Sequence, residues 1–241
     1  MTLQELFNKA DNYKKIIDES TPLQAEQLAK LNQESSDSRP EAYDYMLSGA
    51  KSESLIISED IIKRLHFLLY EKMNQDEAGQ YRKPLEPQEI KEGNVIQKIQ
   101  ETKDTKDTKE TKGTLSGSKQ MYPMPEELPH FMGHFINQME SSKSLLHPIE
   151  FAAICHKRLM DIHPFEEGNG KVARLLMNLI LVNAGYPVTS IPPVLHNEYR
   201  NALKASQGVN NPDIDGFIKL ITECVIEAEH NYCRLIGITS K

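Results

Sequence analysis

HPFEEGNGKVARLLMNLILVNAG, from His163 to Gly185, decides the reading of the fold. Val172, Leu175, Leu176, Leu179 and Ile180 recur at the i, i+3, i+4, i+7, i+8 spacing of a core-facing helix, and Gly185 with Pro187 just beyond closes it. Lys171, Arg174 and Asn178 fall at i, i+3 and i+7 on a different face, so two cations and an amide share one edge from the first turn. Gly168, Asn169 and Gly170 lead into that turn and leave the backbone free to curl until successive N–H groups point at one spot. A helix N-terminus carries about half a positive charge and unpaired donors, so this turn is expected to cradle an anion, with a phosphate as the guest.

Just upstream stand His163, Glu166 and Glu167. A carboxylate beside a phosphate cradle repels the anion unless a divalent cation lies between them, which implies Mg²⁺ held by one glutamate and by phosphate oxygens. Imidazole titrates near neutrality and can take a proton from a hydroxyl nucleophile. Base, metal ligand, anion hole and cations together point to phosphoryl or nucleotidyl transfer. The GNGK run is not a Walker loop, since GxxxxGK[ST] needs glycine at Phe165 and a hydroxyl residue at Val172.

Working outward, the remaining chain reads as helices. The N-terminus is helical to about Glu19, and Thr21 with Pro22 opens a second helix carrying Leu23, Leu28 and Leu31. Ser58, followed by Glu59 and Asp60, caps another with Ile61, Leu65, Leu68 and Leu69 as its stripe, running to near Gly79. Further helices start near Pro125 or Glu126 and at His147-Pro148, the latter ending before His163 because a residue preceding proline is pushed out of helical geometry. His147 is read as a cap, and His66, His130, His134, His156, His196 and His230 lack metal spacing and are read as structural or surface residues. From Pro84 to Lys119 apolar residues are scarce, and the run ETKDTKDTKETK cannot bury enough surface to offset its ordering entropy, so a mobile loop is expected there. The organisation is thus a helical layer over residues 1–45, a core domain over 46–205 with a charged insertion at about 84–112, and a helical extension over 206–241.

Composition narrows the function classes. With 241 residues, 39% of them hydrophobic, the chain can bury one main core. A net charge of -7 draws it to neither nucleic acid nor anionic lipid. The absence of an apolar leader or of an 18-residue apolar stretch places it in the cytosol, outside membranes. Cys155, Cys224 and Cys233 have no CxxC spacing and are read as reduced thiols buried in helices. Nothing in the periodicity decides between a regulatory layer and a dimer surface for the N-terminal helices, which leaves homo-oligomerisation open.

HPFEEGNGKVAR resembles the Fic family signature HPFx(D/E)GNGRxxR, departing from it only at Lys171. The resemblance extends to AGQYR at 78–82, YPMPEELP at 122–129, HPIEFAA at 147–153 and LLMNLILVNAGYP at 175–187, and covers most of residues 45–205. It implies an all-α, mainly helical bundle with a small β-hairpin flap. It further implies a protein adenylyltransferase that attacks the α-phosphorus of ATP and leaves AMP on a Ser, Thr or Tyr hydroxyl of a target protein docked at the flap. His163 then resembles the base, Glu167 the Mg²⁺ ligand, Phe165 the loop's core anchor, and Gly168, Asn169 and Gly170 the anion hole, with Arg174 on the terminal phosphate. Tyr199 resembles a nucleotide-flanking tyrosine, although an amphipathic helix also places tyrosines at its boundary. Asn178 sits beside these as a structural residue.

Lys171 keeps the charge of the family arginine but not its planar fork, so weaker phosphate orientation, a different nucleotide, or a binding-only module are alternatives. The kinase-like Doc branch carries lysine where this chain has Glu167 and fits less well. The family's inhibitory pattern [S/T]xxxE[G/N] corresponds to SGAKSESL at 48–55, where Glu53 is one residue late, so autoinhibition is expected to be weak or absent. The flap is split, with AGQYRK ending at Lys83 and GTLSGSKQMYP resuming at Gly113.

Overall fold

The computed structural model describes residues 1–20, 39–84, 122–207 and 212–238. The expected helix after Thr21, most of the charged insertion and the second half of the flap lie outside these residues. Among the described residues there are eight α-helices and no strand: α1 (Leu3–Asp18), α2 (Pro40–Ala50), α3 (Glu59–Tyr70), α4 (Leu128–Ser142), α5 (Pro148–Ile162), α6 (Asn169–Asn183), α7 (His196–Ser206) and α8 (Ile214–Leu235). The all-α expectation holds over this range. The β-hairpin does not appear in it, and residues 80–84 and 122–124 on either side of the flap have no regular structure.

Local chemistry sets the boundaries. Thr2 and Glu5 form a reciprocal capping box on α1, the Thr2 hydroxyl accepting from the Glu5 N–H and the Glu5 carboxylate from the Thr2 N–H. Ser58 caps α3 by accepting from the Ile61 N–H at 3.3 Å, as its sequence position suggests. The same helix ends at Tyr70 rather than near Gly79. Asn74, Asp76 and Gly79 follow it, residues that favour turns over helix, and Gly79 takes φ 73°. Helix α2 has no counterpart in the sequence reading, although Pro40 at its first position and Glu41 in its first turn are ordinary start signals.

The centre of the bundle is α6, which is buried nearly all round instead of on one stripe. Helix α5 lies along it, α2 packs on its other side, and α4 covers α5. The terminal helices pair with each other, α1 on α8, and α8 also packs on α5 and α7. Phe7, Met46, Leu65, Phe135, Leu159, Leu176 and Phe217 all belong to one hydrophobic cluster, so the 1–45, 46–205 and 206–241 segments share a single core. Each such side chain contributes roughly 1.5–3 kcal/mol by leaving water. The three cysteines are free, buried and helical. No helix among the described residues is long and apolar enough to cross a membrane. This packing leaves the loop 163–168, between α5 and α6, as the place where charge and backbone meet.

Candidate active site

His163 is the C-cap of α5 and adopts the left-handed conformation, φ 51° and ψ 60°, with its N–H donating to the Leu159 carbonyl at 2.9 Å. Among the described residues it is the one non-glycine with positive φ. Pro164 forbids further helix, and Phe165 then turns fully into the core. Asn169 fixes that turn: its Oδ1 accepts from the Phe165 N–H at 2.9 Å and its Nδ2 donates to the Phe165 carbonyl at 2.8 Å. The Asn169 side chain is thus spent inward, and only its backbone N–H is left for the anion cradle. Gly168 takes φ 78°, and a Cβ there would stand 2.3 Å from Tyr70 Cε2, so close approach and backbone conformation both require glycine.

The Phe165 ring stacks on His66 at 3.9 Å, and His66 stacks in turn on Tyr70 at 4.8 Å. His66 Nδ1 accepts from the Gly79 N–H at 2.9 Å, so its proton lies on Nε2, which faces the Glu167 carbonyl at 3.1 Å. Burial pushes the His66 pKa down to about 4, against the opposing bond to Glu167. This neutral histidine ties α3 and the Gly79 turn to the site loop. The bland structural role expected for it is correct; its placement under the loop had no sequence signal.

The His163 ring is only 5% exposed and lies against the Tyr122 ring at 4.2 Å between centroids, 21° from parallel. Neither ring nitrogen has a side-chain hydrogen-bond partner among the described residues, and the ring's contact of that kind is a loose one to the Met160 backbone. Burial lowers its pKa to about 4, the positive charge of Arg82 adds to the shift, and the Met160 backbone opposes it. The imidazole is therefore neutral at pH 7 and keeps a lone pair that no described side chain occupies. Arg82 closes the site from the flap side: its backbone N–H donates to the Pro164 carbonyl at 2.9 Å, its Nε to the His163 carbonyl at 2.8 Å, and its Nη2 to the Pro123 carbonyl.

Helix α6 begins at Gly168 with no side-chain cap, so the N–H groups of its first turn are open to an anion. Glu166 and Glu167 are exposed, while Lys171 and Arg174 are half-buried on the helix that follows. No ion pair joins Lys171 to Glu166 among the described residues. Asn178 is a structural residue: its amide donates to the Arg174 and Thr189 carbonyls and accepts from the Thr189 N–H at 2.7 Å, pinning the segment after α6. Tyr199 is buried, with its hydroxyl 3.1 Å from His156 Nε2 and its ring near Phe217. Among the described residues no group of three or more His, Cys, Asp or Glu side chains could cage a metal. The stretch 48–55 lies toward the far end of α6, where Asn183 Nδ2 donates to the Ala50 and Ser52 carbonyls. Asn183 is roughly 14 Å along the helix from Arg174 at 1.5 Å per residue.

Comparison with known proteins agrees with this geometry. A sequence model of the Fic/DOC family matches residues 56–181. The chain belongs to the Fic/DOC family. It is 42% identical over 103 residues to the protein adenylyltransferase Fic of Drosophila yakuba, covering 42% of this chain and 20% of that protein, and 41% identical over 103 residues to that of Drosophila melanogaster. The chain thus spans about a fifth of the length of the curated relatives it matches. Among solved structures, a Fic domain-containing signalling protein from Bacteroides thetaiotaomicron superposes with a TM-score of 0.69 at 21% identity, covering 100% of both chains. Fic-1 from C. elegans superposes with a TM-score of 0.64 at 20% identity, covering 99% of this chain and 72% of that one. IbpAFic2 covalently tethered to Cdc42 gives 0.52 at 17% identity, with 91% and 70% covered. These likenesses carry the fold.

Proposed function

We propose that this chain is a protein adenylyltransferase that moves AMP from ATP to the hydroxyl of a Ser, Thr or Tyr side chain on a target protein. The observation that carries the reading is a buried, neutral imidazole whose nitrogens have no side-chain partner among the described residues, His163, held at the helix end that feeds directly into the uncapped N-terminus of α6. The adenylyltransferase relatives support the nucleotide, and the neighbour tethered to Cdc42 supports a protein as acceptor. His163 accepts the hydroxyl proton as the oxygen bonds to the α-phosphorus; the α–β phosphoanhydride bond breaks and pyrophosphate leaves. The backbone N–H groups of Gly168, Asn169 and Gly170 hold phosphate oxygens, and Lys171 and Arg174 neutralise the charge that builds on them. Tyr199 would flank the nucleotide only from behind the surface, as part of the wall that includes His156.

Mg²⁺ fits the donor set. An exposed carboxylate such as Glu167 suits an ion that takes most of its ligands from nucleotide phosphates and water, and the His66 bond to the Glu167 carbonyl fixes the backbone behind it. When bound, the ion would offset phosphate charge beside Glu167. The reading is tested by incubating the protein and candidate acceptors with α-labelled ATP and Mg²⁺ and weighing the products intact. An added AMP supports it; an added phosphate, another nucleotide, or no adduct on any acceptor sinks it in favour of an alternative chemistry or a binding-only role.

Lys171 favours that second reading, a module of weakened chemistry on the same cradle. Lysine supplies a point charge where the family arginine supplies a fork. Lys171→Arg is expected to raise kcat/KM about tenfold, one charge-assisted hydrogen bond of ~1.4 kcal/mol. Steady-state kinetics with ATP checks this, and an unchanged or lower kcat/KM would show that the lysine is the better residue here. Because the 48–55 stretch is anchored toward the Asn183 end of α6, Glu53→Gly is expected to leave the rate of transfer unchanged in the same assay; a large gain would mean that Glu53 restrains the site.

A further inference from the structure

A general base is ordinarily aimed by a third group bonded to its second nitrogen. His163 has no side chain in that place among the described residues, only a loose contact to the Met160 backbone. Its backbone is also in the left-handed region, which is strained for an L-residue and does not hold without support. Something besides that loose contact must therefore fix the direction of the lone pair.

Arg82 meets that need from outside the loop. It bonds two consecutive carbonyls, His163 at 2.8 Å through Nε and Pro164 at 2.9 Å through its own backbone N–H. Its remaining arm reaches the carbonyl of Pro123, next in sequence to Tyr122, whose ring lies over the His163 imidazole at 4.2 Å. One planar group thus holds the carbonyl of His163 itself and the carbonyl of the residue that follows its stacking partner. We propose that Arg82 is the positioning residue of His163, setting the ring's direction through the backbone on one side and through Tyr122 on the other. The inference rests on His163 as the base. Arg82 itself needs to touch neither the nucleotide nor the acceptor hydroxyl. The fork is essential to the idea: a lysine at this position keeps the charge but cannot serve the His163 and Pro123 carbonyls in one plane.

The test compares Arg82→Lys, Arg82→Gln and Tyr122→Leu with the wild type, using the whole chain and a thermal melt to establish folding. The first readout needs no catalysis. Stacking on Tyr122 displaces the His163 ring resonances upfield in ¹H–¹³C spectra of the nucleotide-free protein, and Arg82→Lys is expected to move them to where Tyr122→Leu does. The second readout is kinetic: kcat for AMP transfer falls about 100-fold, the scale of a 1 Å misplacement, while the KM for ATP stays within about threefold. Arg82→Lys that keeps both the wild-type ring shift and the wild-type kcat overturns the proposal, because charge alone then suffices. Should Arg82→Gln fail to fold, the lysine variant carries the same comparison. A wild type that shows the expected ring shifts but transfers no AMP would defeat the adenylyltransferase reading and leave the positioning role of Arg82 standing.

Discussion

His163→Ala is expected to lower AMP transfer by about 10³-fold, within the range for removing a general base. The size follows from the surroundings. The ring is buried and neutral and no described side chain bonds its nitrogens, so its lone pair is available to a substrate hydroxyl. The carboxylates next in line, Glu166 and Glu167, are exposed to solvent, where no low-dielectric surrounding would tune them as a base. ATP affinity, measured by calorimetry in the absence of acceptor, should stay near the wild-type value, because the cradle is built from α6 and not from His163. Alanine at φ 51° adds backbone strain, so His163→Asn is the cleaner control: asparagine tolerates the left-handed region and cannot act as a base. Loss of transfer in both variants with ATP binding retained supports the role. Transfer within tenfold of wild type in the asparagine variant would remove it.

The parts of this site that could be read from sequence are those coded locally. His163-Pro164 stops α5, Gly168 starts α6, and the placement of Lys171 and Arg174 follows from helical spacing alone. The flank of α6 was legible for the same reason, with Gly185 closing it at φ 89°. What escaped is coded by contacts between residues far apart in the chain. His66 meets Glu167 across 101 positions and Arg82 meets His163 across 81, and neither pairing leaves a periodic trace. Asn169 shows a subtler limit. Its place in the GNG turn assigned its backbone N–H to the anion hole, but nothing in the sequence showed that its side chain closes the loop on Phe165. The end of α3 was placed too late because its apolar stripe gave no reason to stop, whereas the turn residues after Tyr70 did.

Glu229 lies at the same limit, and it carries the largest stability effect expected in the molecule. In sequence it is one acid among several on an amphipathic helix. In the structure it is fully buried where α8 meets α1, and neither carboxylate oxygen has a hydrogen-bond partner among the described residues. Burial raises its pKa to about 9, Asp11 and Asp18 on α1 add to the shift, and Lys14 opposes it. The native state therefore keeps a proton that the unfolded chain gives up near its ordinary carboxyl value of 4.5. By linkage, the contribution of this group to stability is complete below that value and is lost as pH rises toward 9. Glu229→Gln keeps the shape and removes the titration. At pH 8 it should be more stable than wild type by on the order of 3 kcal/mol, the upper bound being 1.36 kcal/mol per unit of separation. At pH 4.5 the two proteins should be nearly equal. Urea unfolding of both across this range checks the prediction, and parallel stability curves would show that Glu229 is not protonated in the folded protein. Since α1 packs on α8 and its Asp11, Lys14 and Asp18 surround this carboxyl, the same series reports how far the docking of the two helices depends on keeping it neutral.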